Sequence, residues 1–316
     1  MIQRRAATAA LAAALVGLPA FAQAPQQEIY IPLVSKGFQH QFWQAVKSGA
    51  EQAAKDLKVK VTFEGPETEA MVDKQIDMLA AALAKKPQAI GFAALDSQAA
   101  IPLLKKAQAA KIPVVAFDSG VDSDIPVTTT TTDNKAAAAL AADKMAEMIG
   151  KSGEVALVVH DQTSRTGVDR RDGFVNRIKS AYPNIKIVSV QYGGGDQLKS
   201  TEITKSILQA SPNLKGIFGA NEGSAIGVVN GVKEMKRSGK VVIIGYDSGK
   251  QQKNAIMDGS MAGAITQNPV GMGYKTVEMA VKAIKGEKLP KVVDTGFFWY
   301  DKTNIADPKI ASVLYD

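Results

Sequence analysis

The chain contains no cysteine. That single absence excludes disulfide cross-links, thiol nucleophiles and thiolate metal ligands together. It also closes the lipoprotein route to a membrane, which needs a cysteine directly after the export signal. Histidine and tryptophan are almost as scarce, with two of each in 316 residues. Few nucleophile–base pairs or metal-ligand clusters can be built from such a set. Beyond residue 24 no stretch approaches the roughly 18 uninterrupted apolar residues of a membrane-spanning helix. Strong charge is missing too. The formal net charge is +7, of which Arg4 and Arg5 contribute two, and the lysines are scattered singly or as pairs such as Lys85–Lys86 and Lys105–Lys106. No basic block marks a nucleic-acid partner, and solvated helix faces account for the scatter.

What is present begins with a leader. "MIQRR" supplies a positive start, "AATAALAAALVGLPAF" an apolar stretch, and "AQA" at Ala22–Ala24 a small-x-small end. This is the pattern of a secretory signal peptide over residues 1–24, cleaved after Ala24, and the apolar run is short for an anchor. The remaining chain of roughly 290 residues must hold together by its core alone, and that length is enough for two domains.

Apolar, β-branched runs then alternate with segments of helical period. The strand candidates are "IYIPLVS", "VKVTFEG", "AIGFAA", "IPVVAFD", "EVALVVH", "KIVSVQY", "GIFGAN", "VVIIGYD" and "GAITQN". Between them lie helices. In the first, Phe42, Val46, Ala50, Ala53 and Leu57 form one apolar stripe. Another opens on Asn268 as N-cap with Pro269 at the first helical position. Strands apolar on both faces and separated by helices predict parallel sheets covered on both sides. The threonine run "TTTTTD" (Thr128–Asp133) divides them, and reads as an extended hinge crossing followed by a helix capped at Asp133. The expected fold is α/β, with two doubly wound lobes facing each other. Such sheets bind ligands beyond the carboxyl ends of their strands.

The residues at those ends form a consistent set. The first strand delivers "FQHQFW", with His40, Phe42 and Trp43. The fourth presents Asp118. "SRTGVDRRDGF" offers Arg165, Arg170 and Arg171 after the fifth. Later strands present Asn221 with Glu222, Tyr246 with Asp247, and Gln267. Carboxylates, amides and a guanidinium beside aromatic planes are what a polyhydroxylated ring requires. Each hydroxyl is both donor and acceptor, and the C–H faces of the ring pack on aromatic side chains. Singly, each residue also has a plainer role as helix cap, ion pair or core packing. Their recurrence at equivalent positions of both halves favours a shared cleft.

With these residues in place, the chain resembles the ribose-binding-protein-like family, the periplasmic sugar-binding proteins of ABC importers. The resemblance runs from "IPLVSKGFQHQFWQAVKSGAE" through "IPVVAFDSG", "TTDN", "RRDGF", "IFGANEGSAIGVV" and "VVIIGYDSG" to "GAITQNP". It implies the type I periplasmic binding fold, two lobes joined by a three-strand hinge. The lobes would take residues 25–132 plus 268–295, and 133–267 plus 296–316. It implies that Phe42 and Trp43 stack on a sugar ring, with His40 where ribose binders use an asparagine. It further implies that Asp118, Arg170, Asn221, Asp247 and Gln267 hold hydroxyls, with Tyr246 beside Asp247. The sequence departs from ribose binders at Ala93, Ser119 and Gly195, where they carry an asparagine, an arginine and a phenylalanine. The lost bulk and charge point away from ribose, toward a roomier pocket for a hexose, ketose or sugar alcohol.

Other functions fit less well. A nicotinamide-dependent dehydrogenase needs G-x-G-x-x-G after the first strand, and the turn here is "SKGFQHQFW". A sugar-responsive repressor needs an N-terminal helix-turn-helix where this chain has an export signal. The remaining rival is the same fold holding a non-sugar ligand such as an autoinducer, nucleoside or amino acid. The expectation is therefore a monomeric periplasmic binding protein, not an enzyme, without a cofactor. Its partners would be a monosaccharide or polyol and an ABC permease, with a chemoreceptor as a further candidate.

Overall fold

The computed structural model describes residues 28–316, so the leader and its cleavage after Ala24 lie outside the described residues. The first lobe begins with β1 (Tyr30–Val34), α1 (Gln41–Leu57), β2 (Lys60–Glu64), α2 (Val72–Ala84) and β3 (Ile90–Phe92). It continues through α3 (Ile101–Ala109), β4 (Val114–Phe117) and β5 (Thr128–Thr131). The second lobe takes α4 (Asn134–Met148), β6 (Gly153–Val159), α5 (Arg165–Ala181), β7 (Ile185–Tyr192) and α6 (Gln197–Ala210). After these come β8 (Leu214–Gly219), α7 (Glu222–Glu234), β9 (Val242–Tyr246), α8 (Lys250–Met257) and β10 (Gly263–Gln267). The chain then returns to the first lobe with α9 (Pro269–Ile284) and β11 (Val292–Asp294), and ends in the second with β12 (Phe297–Tyr300) and α10 (Pro308–Ala311).

Both sheets are six-stranded. Their orders are β11-β5-β4-β3-β1-β2 and β12-β10-β9-β8-β6-β7, and every pairing is parallel except that of β10 with β12. The two doubly wound sheets thus repeat one topology, with the switch point between β1 and β3 in one lobe and between β6 and β8 in the other. Three crossings connect the lobes among the described residues: Thr131 to Asn134, Gln267 to Pro269, and Asp294 to Phe297.

Two expectations change. The threonine run is more than a crossing. Thr128–Thr131 form β5 inside the first sheet, paired on both sides, and the crossing itself starts at Thr132. A row of threonines is tolerated there because β-branched residues suit a strand and because the buried Thr130 hydroxyl pairs with Thr276 Oγ1 at 2.7 Å. Two short strands also join the nine expected. "VVD" (β11) and "FFWY" (β12) take the hinge-side edges of the two sheets.

Apolar layers cover each sheet on both faces. On the hinge side of the first lobe α1 lies against α9, at a contact set by small residues. A Cβ on Gly49 would overlap the Val270 carbonyl, and one on Gly273 would overlap the Val46 carbonyl. Helix α4 buries Ala137, Ala138, Ala141, Ala142 and Ala146, which lets it lie close on the second sheet and on α5. Its N-cap is Asp133, whose carboxylate accepts from Ala136 N at 3.0 Å, and Asn268 caps α9 through Gly271 N. The C-terminal turn bridges the halves. Tyr315 packs its ring 6.2 Å from Phe42 and accepts a hydrogen bond from Ser248 N.

Candidate functional site

The carboxyl ends of β1, β4, β6, β8, β9 and β10 face one another across a single cleft. A narrow cavity there is lined by Lys36, His40, Phe42, Trp43, Glu69 and Asp118 from the first lobe. His160, Arg170, Asn221, Asp247 and Gln267 line it from the second. Eight of the nine residues that the resemblance assigns to the site therefore meet at one place. The ninth, Tyr246, is fully buried behind the wall and supports it. The Arg170 guanidinium lies 3.8 Å from the centre of the Tyr246 ring, a cation–π contact.

The cavity wall is rigid on the second-lobe side. Arg170 projects from α5, donating through Nε to Asn134 Oδ1 at 2.8 Å and through Nη1 to the Ala220 carbonyl at 2.9 Å. Tyr246 Oη also donates to Asn134 Oδ1, at 2.9 Å. Asp247 accepts from Gln267 Nε2 at 2.7 Å and from Glu222 N at 3.0 Å. Asn221 caps its own helix, accepting from Ser224 N, and turns its amide nitrogen toward His40 Nε2 at 3.5 Å. Asp118 stands apart. It is 4% exposed, yet its carboxylate has no hydrogen-bond or ion-pair partner among the described residues. Burial pushes that carboxyl up to about 6, with Glu69 and Asp247 adding to the effect against Lys36 and Arg170.

Sequence reasoning missed Lys36, Glu69 and His160. Burial works to raise the Glu69 carboxyl, but Lys36, 3.9 Å away, and the Trp43 indole N–H, 2.7 Å away, hold it at about 2. Lys36 stays charged against its burial through Glu69, Asp161 and Asp118, and its ammonium donates across the cleft to Thr166 Oγ1 at 3.2 Å. Burial lowers His160 to about 3, so the ring is neutral, with Nε2 3.2 Å from Thr166 Oγ1. Positional signals exist for two of the three. His160 directly follows β6, and Lys36 lies two residues beyond β1. Glu69 sits in the long loop after β2, where nothing in the sequence marks it.

Both histidines of the chain thus line one cavity, one from each lobe, and each leaves its Nδ1 without a partner among the described residues. Amide nitrogens of Gln39 and Asn221 approach His40 Nε2 as donors, which places the His40 proton on Nδ1. The bulk that Gly195 omits is supplied from the opposite lobe. A Cβ on Gly195 would stand 3.2 Å from His40 Nε2 and 3.3 Å from Gln39 Nε2, so this side of the pocket is filled rather than open. Ser119 is buried beside the cleft, 3.5 Å from Thr166 N, and Ala93 is buried in the core. Arg165 and Arg171 point elsewhere. Arg165 pairs with Asp122 at the cleft rim, and Arg171 with Asp172 and Tyr192.

Known proteins of this architecture share both the sequence pattern and the shape. The D-allose-binding periplasmic protein of Escherichia coli is 29% identical over 81% of this chain and 85% of its own. A solute-binding protein of an ABC transporter from Agrobacterium vitis, solved with bound D-fucose, is 34% identical and superimposes with a TM-score of 0.87. That match covers 90% of this chain and all of the other. A carbohydrate transporter solute-binding protein from Agrobacterium radiobacter, in complex with D-arabinose, is also 34% identical with a TM-score of 0.87, over 91% of this chain and 99% of its own. The family model described as the periplasmic binding protein domain matches residues 31–288. With its two like-wound lobes and the cleft between them, the chain belongs to the periplasmic binding protein family.

Proposed function

We propose that the protein is the periplasmic solute-binding component of an ABC importer, and that it closes over one uncharged monosaccharide. The observation that carries this is the convergence of eleven side chains from both lobes on one buried cavity. Their chemistry is that of hydroxyl recognition. Asp118 brings an unpaired buried carboxylate, Arg170 a braced guanidinium, Asn221 and Gln267 amides, and the two histidines unpartnered ring nitrogens. Two cations, Lys36 and Arg170, stand among three acidic groups, Glu69, Asp118 and Asp247. That near-balance favours a neutral ring over a sugar phosphate or sugar acid. A pyranose enters by exchanging its hydroxyls for contacts these side chains now make with one another, and any polar group left unpaired costs about 1–3 kcal/mol. Fucose, arabinose and allose, bound by similar proteins, are neutral aldoses, and tagatose, bound by another solved neighbour from Agrobacterium vitis, is a neutral ketose, so a neutral monosaccharide of five or six carbons is the ligand class we assign.

The finer parts of the proposal follow from this. The chain is exported with residues 1–24 as its signal, cleaved after Ala24, and acts as a monomer in the periplasm. The sugar favours closure because only the closed form lets both lobes contact it. A membrane permease then recognises surface on both lobes, and a chemoreceptor is a second candidate reader.

Calorimetry of the chain from residue 25 tests the function. D-fucose, D-arabinose, D-allose, D-ribose, galactitol and adenosine are titrated in parallel. Tight binding of at least one aldose is expected, with adenosine silent. Binding of adenosine alone would overturn the sugar assignment.

A further inference from the structure

Two helices of the cleft begin without a cap of their own. His40, at the N-cap of α1, makes no side-chain capping bond, and Gly249, at the N-cap of α8, has no side chain to offer. Each is capped from the opposite lobe instead. Glu222 of the second lobe receives the first two free N–H groups of α1, Gln41 N on Oε1 at 3.1 Å and Phe42 N on Oε2 at 3.2 Å. In return Gln41 Oε1 accepts from Lys250 N, the first residue of α8, at 2.8 Å. Glu222 is 3% exposed, and neither side chain lines the cavity. Gly249 makes room for the exchange, since a Cβ there would lie 2.8 Å from Gln41 Oε1 and 2.9 Å from Glu222 Cδ.

We infer that Gln41 and Glu222 are positioning residues that lock the lobes together and set affinity for every ligand without touching any of them. A helix N-terminus presents unsatisfied N–H groups and partial positive charge, and a carboxylate seated on it is stabilised. Once the lobes part, both helix ends and the carboxylate return to water, so this contact exists only in the closed form. Apparent affinity scales with the closed, binding-competent fraction. Loss of the lock therefore weakens all ligands by one common factor, whereas loss of a cavity residue changes their rank order. The reciprocity has a further meaning: breaking either half uncaps a helix of the other lobe, so substitutions on opposite sides of the cleft give the same effect.

The inference rests on the closing cleft proposed above, and its first test needs no sugar. Because the chain has no cysteine, spin labels can be placed uniquely through Lys74→Cys on α2 and Leu198→Cys on α6, both exposed and on opposite lobes. Pulsed electron spin resonance then gives the interlobe distance distribution in the ligand-free protein. Gln41→Ala and Glu222→Gln are each expected to deplete the short-distance population several-fold. An identical distribution in the parent and both variants would overturn the lock. The second readout is the dissociation constant for D-fucose, D-arabinose and D-allose. Both variants are expected to raise it about tenfold for every sugar bound, mainly through faster release, with the order of preference kept. Losses that differ from sugar to sugar would overturn the inference by showing direct ligand contact. If the parent binds none of the three, the affinity readout moves to the sugar found by calorimetry, while the distance measurement still decides the lock.

Discussion

Asp118 and Asp247 occupy the same place in two different sheets. One follows β4 in "FDSG" (residues 117–120), the other follows β9 in "YDSG" (residues 246–249), and both hold left-handed backbone, with φ of 54° and 81°. Each amide is pinned to a neighbouring strand, Asp118 N to Thr130 O and Asp247 N to Ile265 O. Left-handed backbone costs a side-chain-bearing residue about 1 kcal/mol or more. Here it lets both carboxylates line the cleft.

The two aspartates differ in what they give up. Asp118 has no partner among the described residues, while Asp247 is held by Gln267 and Glu222. Asp118→Gly is expected to relieve both backbone strain and the buried charge, raising stability by about 1 kcal/mol while sugar affinity falls at least tenfold. Asp247→Gly loses the same affinity but also loses stability, because two buried donors are left without an acceptor. Thermal melting and calorimetry on the pair separate the cases.

Arg170 serves wall and ligand together. Arg170→Ala is expected to weaken sugar binding at least tenfold and to cost on the order of 3 kcal/mol in stability, since Asn134 Oδ1 and the Ala220 carbonyl lose a charged donor. Tyr246→Phe keeps the ring under the guanidinium and removes one hydrogen bond, a loss of about 1 kcal/mol, with affinity changed less than threefold. Chemical denaturation at one pH measures both.

Acid acts on the site in two directions. His160 is held at about 3 rather than 6.5, so its contribution to stability is whole above pH 6.5 and is lost as pH falls toward 3. Asp118 is raised from 3.8 to about 6, so the cost of its buried charge is relieved as pH falls through that window. Between pH 6 and 4 the two oppose each other. His160→Gln is expected to lose less stability than the parent between pH 7 and 5, and Asp118→Asn to lose more, each by on the order of 1 kcal/mol per pH unit within its window. Denaturant midpoints at the two pH values read this directly.

The contact of α1 with α9 leaves no room for a methyl group. Gly49→Ala and Gly273→Ala are each expected to cost about 2 kcal/mol or more, because the atoms in the way are backbone carbonyls that cannot rotate aside. Urea unfolding of the two variants tests it; a loss under 0.5 kcal/mol, on the order of an ordinary surface change, would contradict the packing.

Where the sequence was read correctly, a strong local signal was present. Strands apolar on both faces announced parallel sheets, and the helix caps at Asp133 and Asn268 stand as their residue types suggest. β11 and β12 escaped because three- and four-residue edge strands carry too little pattern, and β5 because threonine reads as polar, although the Thr130 and Thr131 hydroxyls find partners there. In the cleft, residues attached directly to strand ends could be found by position. Lys36 looked like one more solvated lysine, since its burial comes from the opposite lobe, and Glu69 depends on where a loop folds back. Tyr246 was placed correctly along the chain, but the side its ring takes depends on Arg170.

The three crossings between the sheets carry a consequence for how the chain can be taken apart. Each half is assembled from stretches on both sides of the other, so no single cut frees either one as a continuous piece. A truncation at Thr132 would strip the first sheet of its β11 edge and of the helix that covers α1. The halves are interwoven, and bending at those short connections is the motion that leaves both intact.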